Sequence, residues 1–397
     1  TTSGSGAVTT LTAGKDIVQQ TGSRVSSDAL RLQAGGDATL ETATNTVGTL
    51  AASTGGKLSY VDADALRVGT VTTTSGPASL LGSTVGVSAA GATTLQTLDG
   101  TTGSLTLADS VTTSGSGAVT TLTAGKDIVQ GAGSRVSSDA LRLQAGGDAT
   151  LETATNTVGT LAAEVATGDL RFVNAQALAI GSVTTSTAAA AGTTDGARTA
   201  SAGRHISLQS LAGDISINQQ LRTTADAGGT DTATLSAAGG ITQSSSAGAA
   251  LSASQLRVLT AAGGASLANT GNVVGAVAAD VTGGSFALAS NRALTVGSVT
   301  TATPLLAGTS TGIMTRGQGI SVSTSGAGSD VRLDADVLTT AGGASAGADI
   351  NVAAGGALAQ AAGNLRGGTD GTVRLGAAAG GVSQTGNGVV TASRLQV

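Results

Sequence analysis

Cysteine and tryptophan are absent from this 397-residue chain, which has 2 proline, 1 tyrosine, 2 phenylalanine, 1 histidine and 1 methionine. Without cysteine there are no disulfides and no thiolate metal sites. The lone His205 cannot form a histidine pair on a metal. The scarcity of rings argues against two or three ordinary globular domains, whose cores use aromatic side chains to fill the space between layers. Charge is sparse as well: 11% of residues are charged, the formal net charge is −5, and the arginines are scattered. Nothing here attracts a phosphate backbone or an anionic membrane, so nucleic acid is not expected as a partner. No apolar run approaches the roughly 20 residues of a membrane span. The opening TTSGSG lacks the charged start and apolar stretch of a signal peptide.

What the chain does have is 62 glycines and 40% hydrophobic residues, mostly Ala, Val, Leu and Ile. Its mean hydropathy of +0.25 is too high for a disordered Gly/Ser/Thr-rich polymer, so it should fold. Residues 1–52 and 112–163 are identical except where Gln20-Thr21 becomes Gly131-Ala132. A diverged third copy is visible in TLSAAGGITQ (234–243), AAGGASL (261–267), NVVGAVAA (272–279) and ALTVGSVTT (293–301). A fourth begins at TVRLGAAAGGVSQ. The long repeats are placed at about 1–111, 112–230, 231–371 and, in part, 372–397.

A shorter rhythm runs inside the long one. Ala-Gly turns recur at Gly14, Gly35, Gly125, Gly146, Gly213, Gly239, Gly263, Gly342, Gly355 and Gly380. Between them residues alternate, as in Leu30-Arg31-Leu32 and Leu66-Arg67-Val68, which signals half-buried strands of about three to five residues. Such strands are too short to stand alone. Repeated about every 20 residues, they fit the turns of an all-β, right-handed parallel β-helix (β-solenoid), one continuous element over 1–397. In that fold Gly supplies positive φ at corners, and Asp16, Asp37, Asp127, Asp148 and Asp214 bond local amides there. Pro77 and Pro304 fall beside Thr/Ser/Gly-rich turns, outside the ladders. Tyr60 aligns with Phe172, while Phe286 and Leu288 align with Leu170 and Phe172: ring and aliphatic group trade places on one strand face, as in a core.

The order of segments, AGxDI, then LxLxAGG, then NxVGxLAA, then LxVGSV, resembles the repeats of filamentous-haemagglutinin-like adhesins, large exoproteins of Gram-negative two-partner secretion. The resemblance covers nearly the whole chain. It implies a β-helical shaft, export through an outer-membrane transporter partner, and a secreted or cell-surface location. The family's amino-terminal secretion domain and a carboxy-terminal toxin or anchoring domain are not found, and the chain stops within a repeat, as a piece of the shaft would.

Reactive constellations are thin. A Ser-His-Asp arrangement could run only through His205, with Asp214 as a candidate acid. Asp62/Asp64 and Asp334/Asp336 are spaced i, i+2 like paired carboxylates of a glycan-processing β-helix enzyme. In the second copy the first pair becomes Asn174 and Gln176, so a solvated outer face is the expected role. GGTDGTVRL (367–375) approaches a calcium-binding nonapeptide once only. Thr70/Thr72 and Thr120/Thr123 do not recur at the constant phase of an ice-binding array. The expectation is a structural and adhesive protein, not an enzyme, with no catalytic, metal or cofactor residues and no cofactor. It would project or multiply weak contacts to receptors or glycans on host or neighbouring cells. The alternatives are a filament subunit stacked end to end, and a polysaccharide-processing β-helix enzyme.

Overall fold

Strand Val8–Ala13 lies parallel to residues 29–34 with Leu11 opposite Leu32, and Leu30 in turn lies opposite Leu50. In the computed structural model, which describes residues 2, 6–224, 229–326, 328–340 and 346–397, this pairing recurs rung after rung. The protein is an all-β parallel solenoid. Among the described residues there is no α-helix, only short 3-10 turns. The chain divides into two units, the first Thr1–Gln176 with Ser182–Asp195, the second Ala177–Gly181 with Gly196–Val397.

In the first unit each turn contributes to three ladders. One runs through Val8–Ala13, residues 29–34, residues 52–54, Val87–Ala89, Val111–Thr113 and residues 136–137. The next runs through Ile17–Val18, Ala38–Leu40, Leu58–Asp62, Thr93–Thr97, Val119–Ala124 and residues 140–145. The last climbs from Leu66–Val68 through Leu105–Leu107, Ile128–Gln130 and Ala149–Leu151 to Leu170–Asn174. In the second unit one ladder includes Leu178–Ile180, Ile215–Ile217, Ile241–Gln243, Ala265–Leu267, Phe286–Ser290, Ile320–Thr324 and Ile350–Ala354.

Alternation within each strand sends one set of side chains into a narrow interior. Leu30, Leu32, Leu50, Leu122, Leu143 and Leu161 are wholly buried, each removing apolar surface worth about 2–3 kcal/mol. Leu11 is half-buried, because its strand is covered by a rung on one side only. Tyr60, Phe172 and Phe286 are fully interior. The register confirms their exchange: Leu151 faces Phe172, while Leu267 faces Leu288 and Ala265 faces Phe286. Buried amides are satisfied inside the column. Asn156 Nδ2 donates to the carbonyls of Leu151 and Val173 and to Gln130 Oε1, while its Oδ1 accepts from Val136 N and Gln130 Nε2. Asn45/Gln19 and Asn272/Gln243 repeat this arrangement.

Three details differ from the sequence reading. Strands are not all short: Ser26–Ala34, Val136–Ala145 and Leu251–Thr260 have 9, 10 and 10 residues. They turn a corner without breaking, kinking at Asp28, Asp139 and Ser254, where the pairing skips a residue. The corner aspartates bond amides one turn further on rather than local ones. Asp16 Oδ1 accepts from Asp37 N, Asp127 Oδ1 from Asp148 N, and Asp214 Oδ1 from Gly240 N. Most corner glycines have negative φ; of those named, only Gly213 and Gly380 are left-handed, and Gly342 lies outside the described residues. Glycine is required instead by close stacking, since a Cβ at Gly146 would overlap the Gly125 carbonyl. The prolines behave as expected, Pro77 and Pro304 lying in turns outside the ladders.

The near-identical copies do not lie on the same face. VTTLTA at Val8–Ala13 belongs to the first ladder, whereas VTTLTA at Val119–Ala124 belongs to the second. The long repeat therefore spans whole turns plus one third, and each residue of copy two looks out from the neighbouring face.

Candidate interaction surface: the clamped hairpin arms

The rung spacing that is 21 residues between Leu11 and Leu32 jumps to 35 between Leu58 and Thr93. The difference is an antiparallel hairpin, here called an arm, which leaves the ladder and folds back over the outer surface. Arm 1 pairs Thr70–Thr73 with Gly82–Val85, arm 2 pairs Ser182–Thr185 with Gly192–Asp195, and arm 3 pairs Ser298–Thr301 with Gly308–Thr311. Arm 1 packs across Val8–Ala13, Ser26–Ala34 and Thr46–Thr54. Arm 2 crosses Val119–Ala124, Val136–Ala145 and Thr157–Val165, and arm 3 the corresponding strands Thr232–Ala237, Leu251–Thr260 and Val273–Val281.

Each arm is held by an apolar plug, a hydroxyl pair and an arginine. Val71, Val183 and Val299 are buried against the solenoid. Thr73 hydrogen-bonds Thr10 at 2.6 Å, Thr185 bonds Thr121 at 2.6 Å, and Thr301 bonds Thr234 at 2.8 Å. Arg31 donates through Nε to Thr84 Oγ1 (2.9 Å) and through Nη1 to the Leu80 carbonyl (2.7 Å). Arg142 does the same with Thr194 (2.8 Å) and Ala190 (2.6 Å), and Arg257 with Ser310 (2.8 Å) and Leu306 (2.6 Å). These guanidiniums are nearly buried, and burial lowers the pKa of Arg142 and Arg257, Glu164 opposing that shift at Arg142. The arm's return strand opens on Gly82, Gly192 or Gly308 at φ +128°, +139° and +133°, a conformation glycine adopts without a Cβ penalty.

The outward face of each arm is lined with paired hydroxyls. Thr72 bonds Ser83, Thr184 bonds Thr193 and Thr300 bonds Thr309, at 2.6, 2.7 and 2.7 Å. Such cross-strand pairs hold the arm flat at about 0.2–1 kcal/mol each, and the remaining lone pairs face solvent. The surface can make weak polar contacts; it carries no convergent acid–base groups.

No known protein family, curated protein or solved structure matches this chain. The arms are therefore read from their own geometry.

The residues singled out in the sequence lie elsewhere. Asp62 is not on a solvated face: it is wholly buried, with Oδ2 accepting from Tyr60 Oη (2.8 Å) and Val47 N (2.9 Å), and Oδ1 from Asp64 N. The following residue pair turns the chain at a corner, so Asp64 is exposed while Asp62 points inward. Burial pushes the Asp62 carboxyl up to about 6 against the three hydrogen bonds that favour its charge. Asn174 takes the same place in copy two, accepting from Val158 N and donating to Val158 O. Asp334 lies outside, bonded to Arg332 at 2.6 Å, and Asp336 accepts from Asn364 N. His205 Nδ1 accepts from Thr232 N at 3.1 Å, while Asp214 is engaged at its corner amide. Thr120 is buried against Thr113, and Thr70 bonds Asp109. GGTDGTVRL forms a corner and strand Thr372–Ala377, and no cluster of three or more His, Asp or Glu suited to a metal occurs among the described residues.

The arms themselves escaped the sequence reading. Their signal is a basic residue at one strand phase, Arg31, Arg142 and Arg257, each between interior residues, together with TVTT or SVTT just before the rung spacing lengthens.

Proposed function

We propose that the chain is shaft material of a secreted adhesin of the filamentous-haemagglutinin-like, two-partner-secretion kind, displayed on or released from a Gram-negative cell. Its work is adhesion through many weak contacts, and no chemical step is assigned to it. The observation that carries this reading is the recurrence of one arm on successive repeats. In the first unit the third-of-a-turn offset sets arms 1 and 2 on neighbouring faces. Repeated weak sites on one scaffold gain effective concentration, so retention on a surface can exceed single-site affinity by about 10²–10⁴. The burial of Asp62 and the engagement of Asp214 and Asp336 by backbone amides support a non-enzymatic role, and the transporter partner follows from the resemblance of the repeats.

Beads coated with the protein, applied to cell layers under flow, test the reading. Replacing Thr72, Thr184 and Thr300 together by lysine should cut retention at least about tenfold, as loss of avidity requires. Retention no better than that of beads bearing an unrelated protein would refute the adhesive reading. Rapid loss of viscosity in polysaccharide solutions would favour the enzyme instead.

A further inference from the structure

Arm 3 is a sheet of two strands only, and its register fixes which backbone groups its edges present. Gly312 N donates to the Gly297 carbonyl, so Gly297/Gly312, Val299/Ser310 and Thr301/Gly308 are the hydrogen-bonded pairs. Thr309 and Thr311 alternate with them, and their N–H and C=O groups point away from the hairpin. These groups have no hydrogen-bond partner among the described residues, and both threonines are exposed.

An apolar floor lies beside this edge. The return strand runs on into Ile313–Thr315, and Thr311 and Met314 line one cavity of about 340 Å³. Met314 is the rung partner of Asp280, which is followed in register by Leu259 and Ser236. Those three residues and Leu211, 41% exposed, line a second cavity of about 370 Å³. Leu259 stands two residues beyond Arg257, which holds Ser310 and Leu306 of the arm, so the row runs beside the arm. Two residues along a rung cover about 6.8 Å, and a paired strand sits about 4.8 Å from its neighbour, so a strand added to the edge would lie over the row. Asp280 is paired with Arg316 at 3.3 Å, which leaves the floor without net charge. Leu259 and Met314 are peculiar to arm 3. Gln33, Ser53 and Ser88 form the corresponding row beside arm 1, and Gln144 and Glu164 stand beside arm 2.

We propose that this edge of arm 3 docks an extended, uncharged segment of a partner protein, which joins the arm as a third strand. Its backbone bonds Thr309 and Thr311, and its alternate, small apolar side chains rest on Leu259 and Met314. Unpaired N–H and C=O groups at strand spacing are matched by another extended backbone. A second copy's arm fits poorly, because its valine is buried against its own solenoid and its outward side chains are hydroxyls. The inference uses an edge and a floor that the adhesive reading does not, and it holds or fails apart from that reading.

The test is an acetylated, amidated Thr-Val-Thr-Val-Thr peptide, titrated to about 5 mM, the range of weak contacts, with amide exchange read residue by residue. Exchange at Thr309 and Thr311 should slow at least about tenfold, while Ser83 and Val85 on the return strand of arm 1 should not respond. Leu259→Gln with Met314→Ser installs the residues found beside arm 1 and should weaken binding at least about tenfold. Of two peptides N-methylated at every threonine or at every valine, one should bind and the other fail, since only one edge of the added strand pairs. Unchanged exchange at Thr309 and Thr311, equal binding by the double variant, an equal response in arm 1, or equal behaviour of the two methylated peptides would each overturn the proposal. Protection that rises with protein concentration without peptide would overturn it in favour of a second copy.

Discussion

Replacing Asp62 by asparagine should make this rung more stable at neutral pH, although it removes a carboxylate that accepts three hydrogen bonds. The argument rests on burial. Inside the column the carboxyl's pKa is about 6, against 3.8 for the ordinary side chain. The folded state therefore holds the proton more tightly than the unfolded chain. The stabilisation is complete below pH 3.8 and is lost as pH rises through about 6. At about 1.4 kcal/mol per pKa unit, the loss amounts to about 3 kcal/mol. Asparagine never ionises, and Asn174 shows that the site accepts it with bonds to both Val158 N and O. Tyr60 completes the cycle. Its hydroxyl donates to the carboxylate, and copy two, with the amide, has Phe172 instead. Tyr60→Phe should cost about 1.5–3 kcal/mol beside a charged Asp62 at pH 8, the range for a bond to a charged group. Beside asparagine the same change should cost under about 1 kcal/mol. A solenoid opens rung by rung rather than in one step, so the assay is hydrogen exchange at Val47, whose amide bonds Asp62 directly. Protection factors relative to Asp62→Asn should converge near pH 4 and diverge by about 100-fold above pH 7. Equal protection at every pH, or a Tyr60→Phe cost that ignores the residue at 62, would refute the reasoning.

Three further outcomes follow from the geometry. Arg142→Ala should release arm 2, losing two charge-assisted bonds worth about 2–3 kcal/mol net, so exchange in 182–185 and 192–195 rises about 30- to 150-fold while Leu122 and Leu143 rungs stay protected. Asn156→Leu takes the acceptor from Val136 N, removes the donor to the carbonyls of Leu151 and Val173, and leaves Gln130 only its bonds to Ser134 O and Thr153 N; a loss of about 3 kcal/mol or more is expected in local exchange around that rung. Gly146→Ala forces a methyl onto the Gly125 carbonyl and should lower the denaturation temperature, whereas Gly376→Ala, with open space at its Cβ, should leave it nearly unchanged.

Much of the solenoid was legible because its signal is local. Alternation at Leu66-Arg67-Val68 and the spacing of the Ala-Gly turns report buried and exposed positions without knowledge of the partner rung, whereas Arg31, in the same pattern, is buried beneath arm 1. The aromatic exchange at Phe172 and Phe286 was legible for the same reason, since it conserves volume on one strand face. Features that depend on the neighbouring turn were not. Asp62 and Asp64 share a spacing, yet a corner between them sends one inward, and only the stacked rung fixes that corner. The corner aspartates bond amides about 20 residues on, a distance invisible to a local turn rule. The arms were hidden because Thr70–Thr73 alternates like any rung, and alternation does not tell a parallel ladder from an antiparallel hairpin. The one-face offset of the copies emerges only after every rung length is known.

The account depends most on the stacking of successive turns in the register described. The chain has no native cysteine, so engineered pairs report on it cleanly. Val129 and Thr150 are rung partners on one ladder, whereas Gln144, closer in sequence to Val129, belongs to the neighbouring ladder. A rung separation of about 4.8 Å lies within disulfide reach. Oxidation should close Val129→Cys/Thr150→Cys nearly completely and leave Val129→Cys/Gln144→Cys reduced; closure of the second pair in preference to the first would contradict the fold.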